Sequence, residues 1–370
     1  MPINRVELKD FLVFNDEFTL DFCSGINVLI GGNGTGKTTL LKAMYGVCDN
    51  SVYQFTKEIP IDRYNRGNSF SDYFYDGSTV IVPVMESLYG VSSSIPNDKK
   101  CLITYNGNTF GYRYPTIEEL KKMEFSDEKI AESKFLWIYY GSYPTELDGV
   151  DKPYIQSVLI PTEEALSHSK GFLALNNERK MPFDQTFINV LSKAELPVTR
   201  IVTPNAVKIL DKIKTIIGGE VVYENDIFYV EKENGAKIPF ALEASGFKKV
   251  GLLWKLLRNG LLESGTTLLW DEPENSLNPE LIPELVDILL ELSRNGVQIF
   301  IATHSEILAS YFTVNRMKGD SVMFYSLYKN GDSIGVNSDD RFDLLEPNNL
   351  KTEIVNLYEK EIERGLGGNG

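Results

Sequence analysis

Hydrophobic residues along this chain gather into short unbroken runs separated by stripes at helical spacing, the pattern of a buried parallel sheet crossed by helices. Residues 26–30 read as a buried strand, and Leu40, Leu41 and Met44 read as the inner face of the helix that follows. The same pattern returns far downstream. Residues 266–270 form a second such strand and residues 297–302 a third, with a helix between them. That helix is bounded by Asn278 as its cap, Pro279 at its first position and Gly296 beyond its end, and it turns Leu281, Ile282, Leu285, Ile288, Leu289 and Leu292 inward. Pro283 falls so close to the helix start that its missing N–H has no partner to lose. A further amphipathic helix is expected from Ser245 to Leu262.

Between these blocks the periodicity changes. Residues 78–84 and 100–114, the latter with Asn106-Gly107 as a turn, predict antiparallel hairpins. A polar helix is expected over 116–134, a short strand end at Leu159-Ile160-Pro161, a helix over 184–196 capped by Asp184, and a helix exit followed by a hairpin over 218–239. The chain closes with an edge hairpin over 322–336 around Asn330-Gly331, a helix over 349–364 and a disordered tail over 365–370. There is no repeat, heptad run or low-complexity linker. The expected architecture is α/β: a discontinuous P-loop core of residues 1–50 and 240–370, with an antiparallel β part, and an insertion of hairpins and helices over 51–239.

Chemistry enters between the first strand and the first helix. Gly31-Gly32-Asn33-Gly34-Thr35-Gly36-Lys37-Thr38-Thr39 fits the phosphate-binding pattern G-x-x-x-x-G-K-[ST] without a gap. Its glycines let backbone N–H groups close around phosphates, Lys37 supplies a point charge, and Thr38 offers a hydroxyl to Mg²⁺. The second strand ends in Asp271-Glu272, at the carboxyl edge of a parallel sheet. Asp271 suits Mg²⁺, and Glu272 suits polarising the water that attacks a γ-phosphate. Ser245 stands at a helix start, where an anion is held well. The third strand is followed by Thr303-His304-Ser305, which sets one of only two histidines at a sheet edge within reach of the same phosphate.

The totals narrow the class further. A hydrophobic fraction of 42% over 370 residues supports a real core. No apolar stretch approaches the roughly 18 residues of a membrane span, and the N-terminal residues lack the apolar block of a signal peptide, so a cytoplasmic protein with no membrane partner is expected. Cys23, Cys48 and Cys101 are too scattered for a zinc cluster and odd in number for a disulfide framework. The formal charge of −15 works against an extended phosphate backbone, which disfavours nucleic acid as the main partner without excluding it.

In the order of these motifs, Gly31-x-x-x-x-Gly36-Lys37-Thr38, Ser245-Gly246, residues 268–273, Asn275-Ser276-Leu277-Asn278 and His304, the chain resembles the ABC-type ATPases of the AAA family. Within them it is similar to the group that includes chromosome-maintenance heads and the ATPase modules of bacterial defence cassettes, related to the OLD-type modules. The resemblance implies ATP and Mg²⁺ as cofactors, with Lys37, Thr38, Asp271, Glu272 and His304 serving one ATP. Ser245 and Gly246 would then meet the γ-phosphate of an ATP held by another subunit, which implies a homodimer or higher homo-oligomer closed through the ATP sites. Two departures stand out. Ala244, Phe247 and Lys248 replace three residues of the usual L-S-G-G-Q signature, with Lys248 adding a charge. No glutamine marks the lobe junction, where Thr162-Glu163-Glu164 takes the corresponding place. Phe11 and Phe14 lie where the family has an adenine-stacking aromatic, and read as core. The stretch from Ile160 through His168 and Lys170 to Asp184 also resembles the insertion of small bacterial ATPases paired with a separate effector gene. The function this implies is an ATPase that couples nucleotide state to a partner effector, in antiphage defence. The competing expectation is a DNA-engaging ATPase of the chromosome-maintenance or repair type.

Overall fold

The computed structural model describes residues 2–9, 11–48, 100–105, 108–113, 138–140, 155–179, 183–199 and 202–365. The hairpin expected at 78–84, the helix expected at 116–134 and residues 366–370 of the tail lie outside them. The chain runs β1 (Ile3–Lys9), β2 (Phe18–Asp21), β3 (Ile26–Gly31), α1 (Lys37–Cys48), β4 (Lys100–Tyr105), β5 (Asn108–Arg113), β6 (Ile138–Tyr140), β7 (Ser157–Ile160), α2 (Phe172–Arg179), α3 (Gln185–Glu195) and α4 (Pro204–Ile217). It continues through β8 (Gly219–Glu224), β9 (Ile227–Lys232), β10 (Lys237–Pro239), α5 (Ser245–Arg258), β11 (Thr267–Asp271), α6 (Ile282–Arg294), β12 (Gln298–Ala302), α7 (Glu306–Asn315), β13 (Val322–Asn330), β14 (Ser333–Asp339) and α8 (Asn349–Gly365).

The central sheet has the order β14-β13-β3-β12-β11-β7 and is parallel except for β14. Its inner strands are continuously apolar because both faces are covered. On β3, Ile26, Val28 and Ile30 pack toward the core that contains α5 and α6, while Leu29 packs toward the core of α1 and β1. Leu268 and Trp270 of β11 face the first core, and Leu269 faces the second. Helix α6 follows its sequence signals. Asn278 caps a 3₁₀ turn over Pro279–Leu281, α6 proper starts at Ile282, and Pro283 sits in its first turn. Its buried Leu285, Val286, Ile288, Leu289 and Leu292 each contribute about 1.5–3 kcal/mol of apolar burial.

A second, antiparallel sheet, β2-β1-β4-β5-β6, lies against the α1 side, and a three-stranded sheet, β10-β9-β8, packs beside α4 and α5. The first of these is fastened to the central sheet by a buried side chain. Gln298 accepts from the Ile3 N–H at 2.8 Å and donates to the carbonyls of Ile3 and Cys23, each at 2.8 Å.

Three expectations are corrected. Strands from the 51–239 stretch belong to both large sheets: β4 pairs with β1, and β7 pairs with β11. Helix α5 ends at Arg258 rather than Leu262, because Gly260 takes φ 72° and turns the chain, while Leu262 stays buried in the following loop. The hairpin of β13 and β14 is an edge only at β14, since β13 lies directly beside β3.

Candidate nucleotide site

The phosphate-binding loop joins the end of β3 to the start of α1, as the sequence predicts. Gly36 adopts φ 89°, and a Cβ there would stand 2.7 Å from both Val13 and Phe14, so only glycine fits. Phe11 and Phe14 are themselves buried, joined by paired backbone hydrogen bonds of 2.8 and 3.0 Å, and belong to the core as read. Lys37 is buried and its ammonium donates to the carbonyls of Gly31 at 2.8 Å and Gly32 at 3.1 Å. Burial pushes its pKa down to about 8 against the upward pull of Asp271, Glu272 and Glu274.

Asp271 collects the loop. Its carboxylate accepts from the Thr38 hydroxyl at 2.9 and 3.1 Å, and from the Thr162 hydroxyl at 3.1 Å. Thr162 follows β7, the strand beside β11, so sheet order places it there. The lobe-junction segment chosen from the sequence therefore reaches the site through its threonine.

Glu272 lies at φ 47°, a left-handed conformation that costs a non-glycine residue about 1–2 kcal/mol. Three bonds hold it there. Its N–H donates to Ala302 at 2.8 Å, and its carbonyl accepts from Asn275 N–H at 3.1 Å and from the Lys249 ammonium at 2.7 Å. The carboxylate lies 3.7 Å from Nε2 of His304, with both side chains about one-third exposed, at 33% and 35%. Burial, then the charge of Lys37, lowers the His304 pKa below its ordinary value, so the ring is neutral at pH 7.

Glu274 ties the two strand ends together. One of its oxygens accepts from the Thr303 hydroxyl at 2.6 Å and from the His304 N–H at 3.0 Å.

The signature segment divides by helix phase. Ala244, not Ser245, occupies the cap of α5; Ser245 is its exposed first residue and Gly246 is buried against Leu277. Among the described residues Lys248 reaches the Ala241 carbonyl, at 3.4 Å. Its neighbour Lys249 is the one buried beside the acids, with its pKa pushed down to about 8 by burial. The sequence reading overlooked Lys249, although its i+4 relation to the core residue Leu253 marks the inner face. Ser245 and Lys248 form none of these contacts within the chain. His168 and Lys170, in the stretch that resembles the insertion of small bacterial ATPases, are exposed.

Residues 89–310 match the family described as "AAA domain, putative AbiEii toxin, Type IV TA system", which is more than half of the chain. The chain belongs to this family. Residues 1–106, which carry the phosphate-binding loop, match a second description, "AAA ATPase domain". Both descriptions are of AAA-type domains. A stretch of 44 residues is 43% identical to the structural maintenance of chromosomes protein 3 homolog of Plasmodium falciparum, spanning 12% of this chain and 4% of that protein. Among solved structures, this AAA-family chain is similar to the SMC head domain from Thermotoga maritima, with 13% identity, TM-score 0.47, and coverage of 91% of this chain and 98% of that one. It is also similar to an Smc head domain with an extended coiled coil from Pyrococcus furiosus, bound to the C-terminal domain of ScpA, with 12% identity, TM-score 0.48, and coverage of 97% and 99%. A nucleotide-free ATP-binding cassette from an ABC transporter gives 13% identity, TM-score 0.39, and coverage of 88% and 87%.

Proposed function

We propose that the protein binds ATP with Mg²⁺ on the loop of residues 31–39, hydrolyses it, and dimerises around it. The carrying observation is the meeting of Thr38 and Thr162 on one carboxylate, Asp271. Hydroxyl and carboxylate oxygens are the hard donors that Mg²⁺ takes, and one carboxylate with substrate phosphates and waters meets its needs. When bound, Mg²⁺ would offset the charge that develops on the transferred phosphoryl group. Lys37 turns from its loop carbonyls to the β and γ phosphates. Glu272 accepts a hydrogen bond from the attacking water and draws its proton, and neutral His304, beside Glu272, donates to a γ-phosphate oxygen.

The dimer is what the resemblance to the ABC-type ATPases implies: one chain has one phosphate loop and one Ser245-Gly246 segment, and in that family the two meet across subunits. Ser245, exposed at the start of α5, would complete the site of a second copy. Nucleotide state would then set dimer closure, and a separate effector protein would read that closure, in antiphage defence. The acidic charge of −15 and the family's toxin–antitoxin description support this reading. The short similarity to a chromosome-maintenance protein favours a second reading, a DNA-engaging ATPase, which predicts that duplex DNA stimulates hydrolysis.

Light scattering with ATP and Mg²⁺ tests the dimer. Glu272→Gln keeps the shape of the site but removes the proton acceptor, so hydrolysis slows and the ATP-bound dimer accumulates. Adding Ser245→Arg places bulk where the phosphate docks and returns the protein to monomer. A Glu272→Gln protein that binds ATP and stays monomeric at micromolar concentration overturns the homodimer.

A further inference from the structure

Glu274 is a titratable group for which the hydrolytic scheme has no use. It stands on the loop after β11, three positions beyond Asp271, and reaches across to the end of β12. Its Oε1 accepts from both the Thr303 hydroxyl and the His304 N–H, while Oε2 is buried with no hydrogen-bond partner. A surface carboxylate kept for solubility does not bury an oxygen in this way. The Thr303 hydroxyl passes the constraint on, because it also accepts from the Ser305 N–H at 2.9 Å. Residues 303–305 are therefore held through that one oxygen as well as through the Thr303 N–H, which donates to the Leu29 carbonyl at 3.0 Å. Directly before them the Glu272 N–H is tied to Ala302, at 2.8 Å. Two links thus span the same gap, one on each side of the 3.7 Å approach between Glu272 and His304.

We infer that Glu274 is a positioning residue: its Oε1 fixes the backbone of His304 so that the imidazole stays beside Glu272 and faces the γ-phosphate. The inference rests on the proposed ATP site. In this scheme Glu274 acts through His304. Removing it leaves the Thr303 hydroxyl and the His304 N–H without their shared acceptor, and the turn that carries the ring is then free to drift. Glutamine at this position retains an acceptor oxygen in the same place, and its amide nitrogen falls where Oε2 has no partner.

Four proteins decide the matter: Glu274→Ala, Glu274→Gln, His304→Ala and the double Glu274→Ala/His304→Ala, each measured for kcat and for KM of ATP. Glu274→Ala should lower kcat by about tenfold or more with KM unchanged within about twofold, and Glu274→Gln should recover most of the loss. The double variant should be no slower than His304→Ala alone, since one residue works through the other. A second readout is independent of turnover. The chain has only two histidines, so the His304 ring resonances are assigned by their loss in His304→Ala. Glu274→Ala should shift or broaden them and leave those of His168 in place, and Glu274→Gln should restore them. Unchanged His304 resonances in Glu274→Ala, or losses in kcat that multiply in the double variant, overturn the inference. If the parent protein shows no Lys37-dependent hydrolysis, it is the ATPase reading that fails, and the ring resonances still decide whether Glu274 holds His304.

Discussion

Two buried lysines from different helices, Lys37 on α1 and Lys249 on α5, share the acidic group Asp271, Glu272 and Glu274. Lys37 is the one on the phosphate-binding loop, where its ammonium rests on the Gly31 and Gly32 carbonyls, whereas Lys249 is bonded to the Glu272 carbonyl. Lys37→Ala should therefore weaken ATP binding by about 10- to 100-fold, the equivalent of one charged hydrogen bond of about 1.5–3 kcal/mol. Titration calorimetry with Mg²⁺ and ATP measures it, and an unchanged affinity would remove Lys37 from the site. Residues that work through a local pattern were legible: the loop of residues 31–39, Asp271-Glu272 and His304 each lie where strand ends put them. Glu274 was not, because its partners, Thr303 and His304, are about thirty positions away and meet it only across neighbouring strands.

Helix starts with a side-chain cap were readable, since the cap carries its own chemistry, whereas the end of α5 was not. Asp184 caps α3 through the Thr186 N–H at 2.8 Å and pairs with Lys42 on α1, so the cap also docks the helix on the phosphate-loop helix. What a helix end meets elsewhere was not readable. The carbonyl of Leu196, at the end of α3, accepts from Lys255 of α5 at 3.2 Å, which places a buried ammonium at a helix C-terminus. Burial, reinforced by Arg258, pushes the Lys255 pKa down to about 8 from an ordinary 10.5. Below about 8 both folded and unfolded chains carry the charge, and the burial cost is present in full. As the pH rises above that, the folded chain loses the proton first, the unfolded chain holds more protons, and the cost fades. Lys255→Met should accordingly stabilise the protein by an amount on the order of 1 kcal/mol near neutral pH, and the gain should shrink between about pH 8 and 10. Thermal midpoints of both proteins across that range test the sign; a gain that grows with pH would refute it.

At the scale of the molecule, the fold depends on how two sheets are joined. Gln298 is 3% exposed and satisfies three backbone groups that no ladder reaches. Gln298→Met keeps the volume and leaves the Ile3 N–H and carbonyl unpaired, while the Cys23 carbonyl keeps its bond from Asn27 at 3.1 Å, so at about 1–3 kcal/mol per group the urea midpoint should fall by the equivalent of about 2 kcal/mol or more. A midpoint unchanged within error would mean that β1 is held by apolar packing alone. The parallel core was legible because its strands are apolar throughout, whereas the strand order was not, since parallel neighbours come from distant parts of the chain. The division at 51–239 failed for that reason at β4 and β7. The same geometry bears on how the protein is made. Strand β3 carries the phosphate loop and leaves the ribosome well before its neighbours on both sides, at 298–302 and 322–327. A nascent chain therefore has the loop sequence long before it has the loop's shape, and nucleotide cannot template folding during synthesis; it can bind only after the later strands have closed around β3.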